Sequence, residues 1–458
     1  MLSVSGARGL VGRSMTPAVA QRFAGAFGAH LLEGSRATGR TVVVGRDGRG
    51  SGAQLAAAVM SGLEALGFDV VDVGIVATPT VGVMIGHLGA VAGVVVTASH
   101  NPIEWNGLKT LNHDGLALPA EEAARVIDRF RSGDTLRSAT NGSRREVGDA
   151  DEIHVARVLD NVDVAAIRAR GFAVAIDSVN GGGARSGALL LDALGCRVTH
   201  LNAQRTGTFA HTPEPLAANL TQLTDAVRHA GSIAVGFAQD PDADRLALVD
   251  ERGVFVGEEY TLVLGALRLL QRDGASVLAT NLSTSRMIDE VAARFPGSHV
   301  VRTAVGEANV VAGIRAANGI AGGEGNGGLI WPRVCWVRDS LSAMALVLEL
   351  LAAEGKPLSA IASEVPAFSM VKRKLELASI GGHAAIAPSL ERVRAHFAAQ
   401  AGARIDPCDG VRIDLDRGWV HLRASNTEPI IRVIAEASTL EAAVALCDEC
   451  ERAAGLAA

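Results

Sequence analysis

Aromatic residues are scarce in this chain: they make up 3% of its 458 residues, and tyrosine occurs once. A core must therefore rest on alanine, valine, leucine and isoleucine, and the 48% of hydrophobic residues is enough to build one. No apolar run approaches the roughly 18 residues that a membrane-spanning helix needs. The opening MLSVSGARGLVG has glycines and arginines where a secretion signal has an apolar stretch. The sequence predicts a globular cytoplasmic protein with no membrane partner.

Cysteines are also few, and acidic residues outnumber basic residues. The five cysteines form an odd, sparse set, which is typical of proteins from a reducing compartment. Cys447 and Cys450 form a CxxC pair in a helix-like stretch, but no second pair completes a zinc site, so we interpret them as helix thiols without a ligand. The net charge of −6 argues against general nucleic-acid binding. A small molecule is the expected partner.

A strand–loop–helix–strand pattern occurs three times, in residues 41–74, 172–201 and 275–303. Strands that alternate with helices of about 10–15 residues are typical of βαβ crossovers and parallel sheets. Beyond residue 366 the pattern changes to a strand, a long helix, several strands and a last helix, which indicates an α+β domain. We expect an α/β protein of four domains around a central active-site cleft: three similar mixed α/β domains with mostly parallel sheets, and a C-terminal α+β domain. The expected domains are 1–150, 151–252, 253–365 and 366–458.

Two threonine–proline pairs predict helix starts. Thr16-Pro17 and Thr78-Pro79 each place an N-cap candidate before a proline at the first helical position. We therefore expect the two threonine hydroxyls to cap the helices that follow.

A first candidate loop lies in VVVTASHNP, residues 94–102. Ligands of open α/β sheets gather at the carboxyl ends of the strands, and Ser99 stands there, directly after a strand-like run. A serine hydroxyl is a poor nucleophile unless it is activated, but it forms a good phosphate ester. A polar turn without chemistry is the alternative interpretation of this loop taken alone.

A second loop, GFAQDPDADRLALVD, carries three aspartates at alternate positions: Asp240, Asp242 and Asp244. Three such carboxylates can converge on one hard cation, and Mg²⁺ commonly takes a few carboxylates plus a phosphate oxygen. The segment partly imitates a calcium-binding EF-hand, but its sixth position is Arg245 where that loop needs glycine, and LALVD predicts a strand where an EF-hand needs a helix. A metal-free acidic turn is the remaining alternative.

Two further loops carry polar side chains in a setting that suits a sugar phosphate. In GGEGNGGLIWP, glycines surround Glu324 and Asn326, which suits sugar hydroxyls, although glycine-rich turns are common. In RASNTEPIIR, hydroxyls, an amide, loop N–H groups and guanidiniums form a candidate phosphate cradle, and a polar hairpin turn is the alternative. The cradle residues are Arg423, Ser425, Asn426, Thr427 and Arg432.

Taken together, the four loops fall one per expected domain, and the chain resembles the α-D-phosphohexomutase family over essentially its whole length. This family contains phosphoglucomutases, phosphomannomutases and phosphoglucosamine mutases. The segments TASHNP and DPDADR are highly specific for it and RASNTEP nearly so, while SVSGARGLVG, GRDGRGSG and RTAVGE are also similar to family segments. The resemblance implies a mutase that interconverts hexose 6-phosphate and hexose 1-phosphate through a phosphoserine and a hexose 1,6-bisphosphate, which serves as activator and intermediate.

The resemblance also assigns roles to individual residues. Ser99 is expected to be the phosphoserine, and Asp240, Asp242 and Asp244 are expected to hold one Mg²⁺ per chain together with its phosphate. Lys109 matches a lysine near the transferring phosphate with an acid/base role, and His100 and Arg8 match active-site positions. The remaining positions are expected to bind substrate: Arg245, Gly306, Glu324, Asn326, Arg423, Ser425, Asn426, Thr427 and Arg432.

One position departs from many bacterial relatives, whose sugar loop ends in a histidine where this chain has Gly328. A histidine role at that position cannot be carried over, and sugar preference is left open. Glucosamine 6-phosphate is the expected substrate, with mannose or glucose phosphates as the alternative. A non-catalytic sugar-phosphate-binding homologue is a remote alternative, which the presence of Ser99, the aspartate triad and Lys109 disfavours. We expect a monomer or a homodimer.

Overall fold

The structure, a computed structural model, describes residues 2–4, 6–34, 39–133, 136, 138–380, 382–425 and 430–456. By the contacts within it, the chain divides into two compact units. The first unit contains Met1–Gly274 and Ile320–Ala362, and the second contains Ala275–Gly319 and Ser363–Ala458. Within the described ranges, no helix is both long enough and apolar enough to cross a bilayer.

The elements follow one another in the order that the sequence pattern predicts. The strands are β1 Leu2–Ser3, β2 Gly6–Leu10, β3 Thr41–Arg46, β4 Asp69–Ile75, β5 Ala92–Val96, β6 Trp105–Leu111, β7 Arg144–Glu146, β8 Ala173–Asp177, β9 Arg197–Leu201, β10 Val235–Gln239, β11 Leu246–Asp250, β12 Val277–Asn281, β13 His299–Thr303, β14 Ala321–Glu324, β15 Gly328–Ile330, β16 Ser369–Glu376, β17 Arg404–Asp406, β18 Val411–Leu415, β19 Gly418–Ala424 and β20 Ile430–Ala437. The helices are α1 Pro17–Glu33, α2 Gly52–Glu64, α3 Thr78–Leu88, α4 Ala120–Ser132, α5 Ala150–Leu159, α6 Val164–Arg170, α7 Ala184–Ala193, α8 Thr221–Ala230, α9 Glu259–Asp273, α10 Met287–Ala293, α11 Glu307–Ala317, α12 Ser340–Glu354, α13 Leu358–Glu364, α14 Ile386–Ala398 and α15 Leu440–Ala454, with short 3-10 helices at Ala217–Asn219, Leu377–Ile380 and His383–Ala385.

A seven-stranded sheet of order β1-β2-β6-β5-β3-β4-β7 forms the beginning of the first unit. Strands β5, β3, β4 and β7 run parallel to one another, whereas the pairs β5–β6, β6–β2 and β2–β1 are antiparallel. Every residue of β5 is buried, as expected for a strand covered on both faces. Val95 of β5 pairs with Lys109 of β6, so this register brings Lys109 close to the loop that follows β5.

A four-stranded sheet of order β11-β10-β8-β9 follows in the same unit, with parallel β8, β9 and β10 and antiparallel β11. The turn between β10 and β11 carries the three aspartates, and both of its flanking strands are entirely buried. Because LALVD is strand β11, the segment has no exit helix and the EF-hand alternative is wrong. The same unit contains the antiparallel hairpin β14–β15, in which Glu324 pairs with Gly328, and the helix α12 that follows it.

The second unit combines parallel strands β12 and β13 with a five-stranded antiparallel sheet of order β16-β20-β19-β18-β17. Helices α14 and α15 pack on the five-stranded sheet, and their apolar residues share one core with it. Cys447 and Cys450 are buried in that core, and burial raises the pKa of Cys447 to about 11, which fits the interpretation of these thiols as packing residues. The mixed α/β class with an antiparallel C-terminal sheet is confirmed.

The two predicted threonine caps have different outcomes. Thr16 caps α1, because its side chain accepts a hydrogen bond from the N–H of Val19, as predicted. The prediction for Thr78 is wrong, because the N-cap of α3 is Ala77 and Thr78 is already helical. The hydroxyl of Thr78 instead donates to Oδ2 of Asp242, at 2.5 Å. The hydroxyl that the sequence predicts to cap α3 therefore contacts the aspartate loop instead.

Candidate active site

Ser99 is held in an unusual backbone conformation at the end of β5. Its φ is +53°, in the left-handed region that few residues other than glycine adopt, and its side chain is buried. Its Oγ donates to Oδ2 of Asp240 at 3.0 Å and lies 3.4 Å from Nδ1 of His100. A backbone conformation of this kind is strained and persists only where surrounding contacts hold it. An arginine supplies several of these contacts.

That arginine is Arg49, whose side chain is fully buried. Its guanidinium donates to the carbonyl oxygens of Ser99 at 2.6 Å and of Asn101 at 2.7 Å, and to two more carbonyls of the same loop, those of Pro102 and Trp105. Its charge is balanced by Asp47, whose Oδ2 accepts from Nε of Arg49 at 3.0 Å. Arg49 thus holds the backbone around Ser99 through its carbonyl groups. Its segment, GRDGRGSG, is similar to a family segment, but that similarity alone assigned Arg49 no role.

The three aspartates converge, as predicted. One carboxylate oxygen from each of Asp240, Asp242 and Asp244 lies within 4.8 Å of the others, and all three side chains are buried. Burial, and then the neighbouring Asp242 and Asp244, raise the pKa of Asp240 well above its usual value. Ala243 at the tip of the turn has a φ of +52°, a second strained position in this site.

The donor set fits a hard divalent cation. Oδ1 of Asp242 and Oδ1 of Asp244 are buried and have no hydrogen-bond partner in the described part of the chain, although the second oxygen of each carboxylate is bonded. A buried carboxylate oxygen left without a partner is costly, and it is a ligand that Mg²⁺ prefers. Asp240, Asp242 and Asp244 are therefore the residues that could hold a metal.

Two cations balance the rest of this negative charge. Nζ of Lys109 donates to Oδ2 of Asp242 at 2.5 Å and to Oδ2 of Asp244 at 2.8 Å. Burial alone would lower the pKa of Lys109, but the two carboxylates outweigh it and raise the pKa above its usual value. Nη2 of Arg338 donates to Oδ2 of Asp244 at 2.7 Å. The sequence did not predict Arg338 as a site residue, because no motif marks it.

Arg8, His100 and Arg245 lie on the same side of the first unit. Arg245, then burial, then Arg8 lower the pKa of His100 to about 2, so His100 is neutral near pH 7. Burial lowers the pKa of Arg8, although Asp242 opposes this. The backbone N–H of Arg245 donates to Oδ1 of Asp240, and its Nε lies 3.7 Å from Oδ1 of Asp244. The structure thus brings these residues together with Ser99 and the triad.

The sugar loop also lies in the first unit, at the hairpin β14–β15. Glu324 is buried, and its Oε2 accepts from Nη1 of Arg338 at 2.8 Å. Nδ2 of Asn326 lies 3.5 Å from the same oxygen, and Oδ1 of Asn326 is buried without a partner among the residues that the structure describes. The structure thus holds these two polar side chains close together at one turn.

The remaining predicted residues lie in the second unit. Arg423 of β19 stands directly opposite Arg432 of β20, and Arg432 stands directly opposite Lys374 of β16, so three cations form one cross-strand row. A row of cations across adjacent strands is an arrangement that can bind an anion such as phosphate. The sequence did not predict Lys374 either, because its strand carries no motif.

An acidic residue, Asp409, joins this row to the loop before α11. Its Oδ2 accepts from Nε of Arg423 at 2.9 Å and from the N–H of Val305 at 3.0 Å. Gly306, the next residue, has a φ of +126°, which requires glycine. Nη2 of the buried Arg423 has no hydrogen-bond partner among the described residues. Ser425 directly follows β19, and Asn426 and Thr427 lie outside the described residues.

Comparison with known proteins covers nearly all of these elements. Family models described as phosphoglucomutase/phosphomannomutase, alpha/beta/alpha domains I, II and III, match residues 2–137, 152–253 and 257–368, and the C-terminal domain of the same family matches residues 377–453. A Methanopyrus kandleri protein named "Probable phosphoglucosamine mutase" is 40% identical, over 97% of this chain and 95% of its own length. A Thermococcus kodakarensis protein named "Phosphoglucomutase/phosphomannomutase" is 39% identical, over 96% and 94%. A crystal structure of a phosphoglucomutase/phosphomannomutase family protein from Burkholderia thailandensis matches with a TM-score of 0.86 at 27% identity, over 100% and 99% of the two chains.

Proposed function

Since this chain belongs to the α-D-phosphohexomutase family and is an enzyme of that class, we propose that it interconverts hexose 6-phosphate and hexose 1-phosphate through a phosphoserine at Ser99. The observation that carries the proposal is the placement of the Ser99 hydroxyl, 3.0 Å from Asp240 within the buried aspartate triad. A hydroxyl at that position is a phosphoryl carrier next to a cation site, and that is what a phosphoryl-transfer centre needs.

The reaction consists of two transfers of opposite direction. In the first, the bond between phosphorus and Oγ of Ser99 breaks while phosphorus bonds to a free hydroxyl oxygen of the hexose phosphate, which gives the 1,6-bisphosphate. The bisphosphate then turns over, and Oγ of Ser99 takes back the other phosphoryl group. Mg²⁺ held by the triad supplies positive charge against the transferring phosphoryl oxygens.

Lys109 and Arg245 are the protein groups best placed to assist these transfers. The raised pKa of Lys109 keeps its ammonium protonated near pH 7, so Lys109 can donate a proton to a leaving oxygen but cannot act as a base without losing charge first. Arg245 adds a guanidinium beside Asp244. Arg8 and His100 lie near Ser99, and His100 is neutral there, so it can accept a hydrogen bond.

We assign the phosphate that is not being transferred to the second unit. Arg423, Arg432, Ser425, Asn426 and Thr427, with the backbone near Gly306, form this subsite in the proposal. It is supported by the cation row of β16, β20 and β19 and by Nη2 of Arg423, which has no partner among the described residues. Glu324 and Asn326 bind the 3- and 4-hydroxyls of the sugar.

Glucosamine 6-phosphate is the preferred substrate in this proposal, with mannose and glucose phosphates as the alternative. The named loops bind features that these sugars share, so discrimination must arise at C2. A contact there without a dedicated hydrogen bond gives only about 10- to 200-fold selectivity, so we expect measurable activity on the other two sugars. The two relatives above differ in name between the same alternatives.

The test is a side-by-side comparison of kcat/KM on glucosamine, mannose and glucose 6-phosphates, with the 1,6-bisphosphate as activator. A value for glucosamine 6-phosphate well below the other two would reverse the preferred sugar. Transfer of labelled phosphate from the bisphosphate to the protein, and its absence in Ser99→Ala, tests the phosphoserine. No turnover of any of the three sugars and no labelling would contradict mutase activity and favour a sugar-phosphate-binding homologue.

A further inference from the structure

Gly328, at the start of β15, has a backbone conformation open to any residue, since its φ lies outside the positive range. Its lack of a side chain matters for another reason: a Cβ atom at this position would lie 2.2 Å from Cδ of Arg338. Real Cβ atoms do not approach another carbon so closely. The space that a side chain at position 328 would need is therefore taken by the side chain of Arg338.

Arg338 cannot easily move out of this space, because both ends of the residue are fixed. Its backbone bridges Ile330 of β15, and the neighbouring Asp339 caps α12 through the N–H groups of Leu341 and Ser342. Its guanidinium uses separate nitrogens for two carboxylates: Nη1 donates to Glu324 at 2.8 Å, and Nη2 donates to Asp244 at 2.7 Å. Arg338 is 8% exposed, so these bonds are shielded from water and from salt.

We propose that Arg338 is the positioning residue for the sugar-binding carboxylate of Glu324, and that Gly328 is the residue that makes room for it. This inference rests on the proposed function, in which Glu324 binds sugar hydroxyls. Arg338 sets the distance between Glu324 and the aspartate loop, because one planar guanidinium contacts both. A planar fork with two donor nitrogens can do this, whereas the single ammonium of lysine would reach one carboxylate at a time.

The proposal predicts effects on the sugar more than on the metal. Without Arg338, Glu324 loses the hydrogen bond that orients it, so KM for the hexose phosphate should rise by about 10- to 100-fold, the usual range for a lost hydrogen bond to a charged group. The Mg²⁺ concentration that gives half-maximal activity should not rise, because Asp244 also loses a competing cation. A purely structural loss would instead lower the unfolding temperature and weaken both ligands together.

The experiment compares Arg338→Ala, Arg338→Lys, Gly328→Ala and the double variant Gly328→Ala/Arg338→Ala with the wild type. Initial rates on the hexose 6-phosphate that the wild type turns over fastest give kcat, KM and the Mg²⁺ dependence, and thermal unfolding is measured for each protein. Arg333→Ala is the matched control, since Arg333 lies in the same segment with a 54% exposed side chain.

Gly328→Ala should raise KM at least about 10-fold in the wild-type background and clearly less in the Arg338→Ala background, because the added methyl group acts mainly by displacing Arg338. Its other close neighbour, Oδ1 of Asn326 at 3.2 Å, has to shift by only a few tenths of an ångström. Arg338→Lys should keep most of the raised KM, because a single ammonium does not replace the contact to both carboxylates. Additive effects of the two alanine substitutions, or a change in unfolding temperature with KM within about 2-fold of wild type, would overturn the proposal. A wild type that turns over no hexose phosphate would instead refute the proposed function, so the two failures are distinguishable.

Discussion

The candidate sites of the two units differ in the charge that lies at their centre. In the first unit, three buried aspartates share one turn, and Lys109 and Arg338 balance part of their charge. In the second unit, Lys374, Arg432 and Arg423 form a cross-strand row, and the acidic partner found there, Asp409, binds Arg423. The first site thus presents carboxylate oxygens at its centre, whereas the second presents cations.

This difference indicates how labour is divided in the proposed reaction. Carboxylates next to a serine hydroxyl suit a metal and a phosphoryl group that moves. A row of cations suits a phosphate that is held in place. An enzyme with a net charge of −6 can then bind an anion, because the local field and not the total charge decides binding. Changes at Ser99 and the aspartate triad should therefore affect kcat, and changes in the row of cations should affect KM.

The largest effect expected in the first unit comes from Ser99→Ala. Because the nucleophile disappears while the core is unchanged, turnover should fall by about 10⁴-fold or more. The measurement is the mutase rate with the 1,6-bisphosphate present, and thermal unfolding serves as the folding control. Near-normal turnover would mean that the phosphoryl group is carried elsewhere.

Removal of the metal should also lower turnover, and the loss of a single ligand should have a smaller effect than Ser99→Ala. Chelation should stop turnover, and added Mg²⁺ should restore it, because Oδ1 of Asp242 and Oδ1 of Asp244 are buried and have no hydrogen-bond partner among the described residues. Asp242→Asn should lower kcat by roughly 10²-fold, the scale of losing one electrostatic contact to the transition state. Direct binding of Mg²⁺ is measured by titration calorimetry. Full activity in excess chelator would refute the metal assignment.

In the second unit, Arg432→Ala should raise KM about 10- to 100-fold with a smaller change in kcat, because a charge-assisted contact to phosphate is lost. Lys374→Ala should act in the same direction but more weakly, since Lys374 is the exposed end of the row. Arg373→Ala is the matched control, because Arg373 is on the other face of β16 and bonds to Asp448 and Glu451 of α15. If Arg432→Ala changed kcat alone, the row of cations would not act through phosphate binding, and the two sites would not differ in this respect.

The sequence was sufficient for much of the site because its chemistry is carried by short contiguous loops. Ser99 and the aspartate triad each lie in one turn that follows a buried strand, so the local pattern identifies each loop, and the resemblance to the family implies that the two loops meet. The β-strand after the triad was likewise predictable from LALVD, because apolar continuity alone identifies a buried strand. The division into domains at residues 150, 252 and 365 stays a prediction.

Residues that act across the fold could not be predicted in this way. Arg338 meets Asp244 across 94 residues of chain, and Arg49 meets the carbonyl of Ser99 across 50, so no spacing in the sequence reveals either contact. Thr78 shows the same limit: its position before a proline predicts a cap, but a hydrogen bond to Asp242 competes for its hydroxyl. Gly328 gave a partial signal in the sequence. It replaces the histidine of many bacterial relatives, and in the structure the side chain of Arg338 occupies the space that a side chain at position 328 would need.

The smallest expected effect concerns His421, which lies among the cations of the second unit. Burial first, and then Arg423 and Arg412 against the opposing bond to Asp409, lower the pKa of His421 to about 4 from a usual value of 6.5. Its Nε2 donates to the carbonyl of Asp409 at 2.7 Å, and its Nδ1 lies 3.0 Å from Oγ of Ser283. As the pH falls, His421 therefore becomes protonated at a lower pH in the native state than in the unfolded chain. The stability linked to His421 is present above about pH 6.5 and is lost between about pH 6.5 and 4.

Acidification from about pH 7 to pH 5 should thus weaken strands β19 and β20 by on the order of 1 kcal/mol more in the wild type than in His421→Gln. Hydrogen exchange of the two strands, corrected for the intrinsic rate at each pH, measures this local opening without assuming that the whole chain unfolds at once. His299→Gln, an exposed position in the same unit, is the control and should leave the pH dependence of the wild type unchanged. Equal acid sensitivity in wild type and His421→Gln would show that burial and the neighbouring cations do not lower the pKa of His421 in the native state.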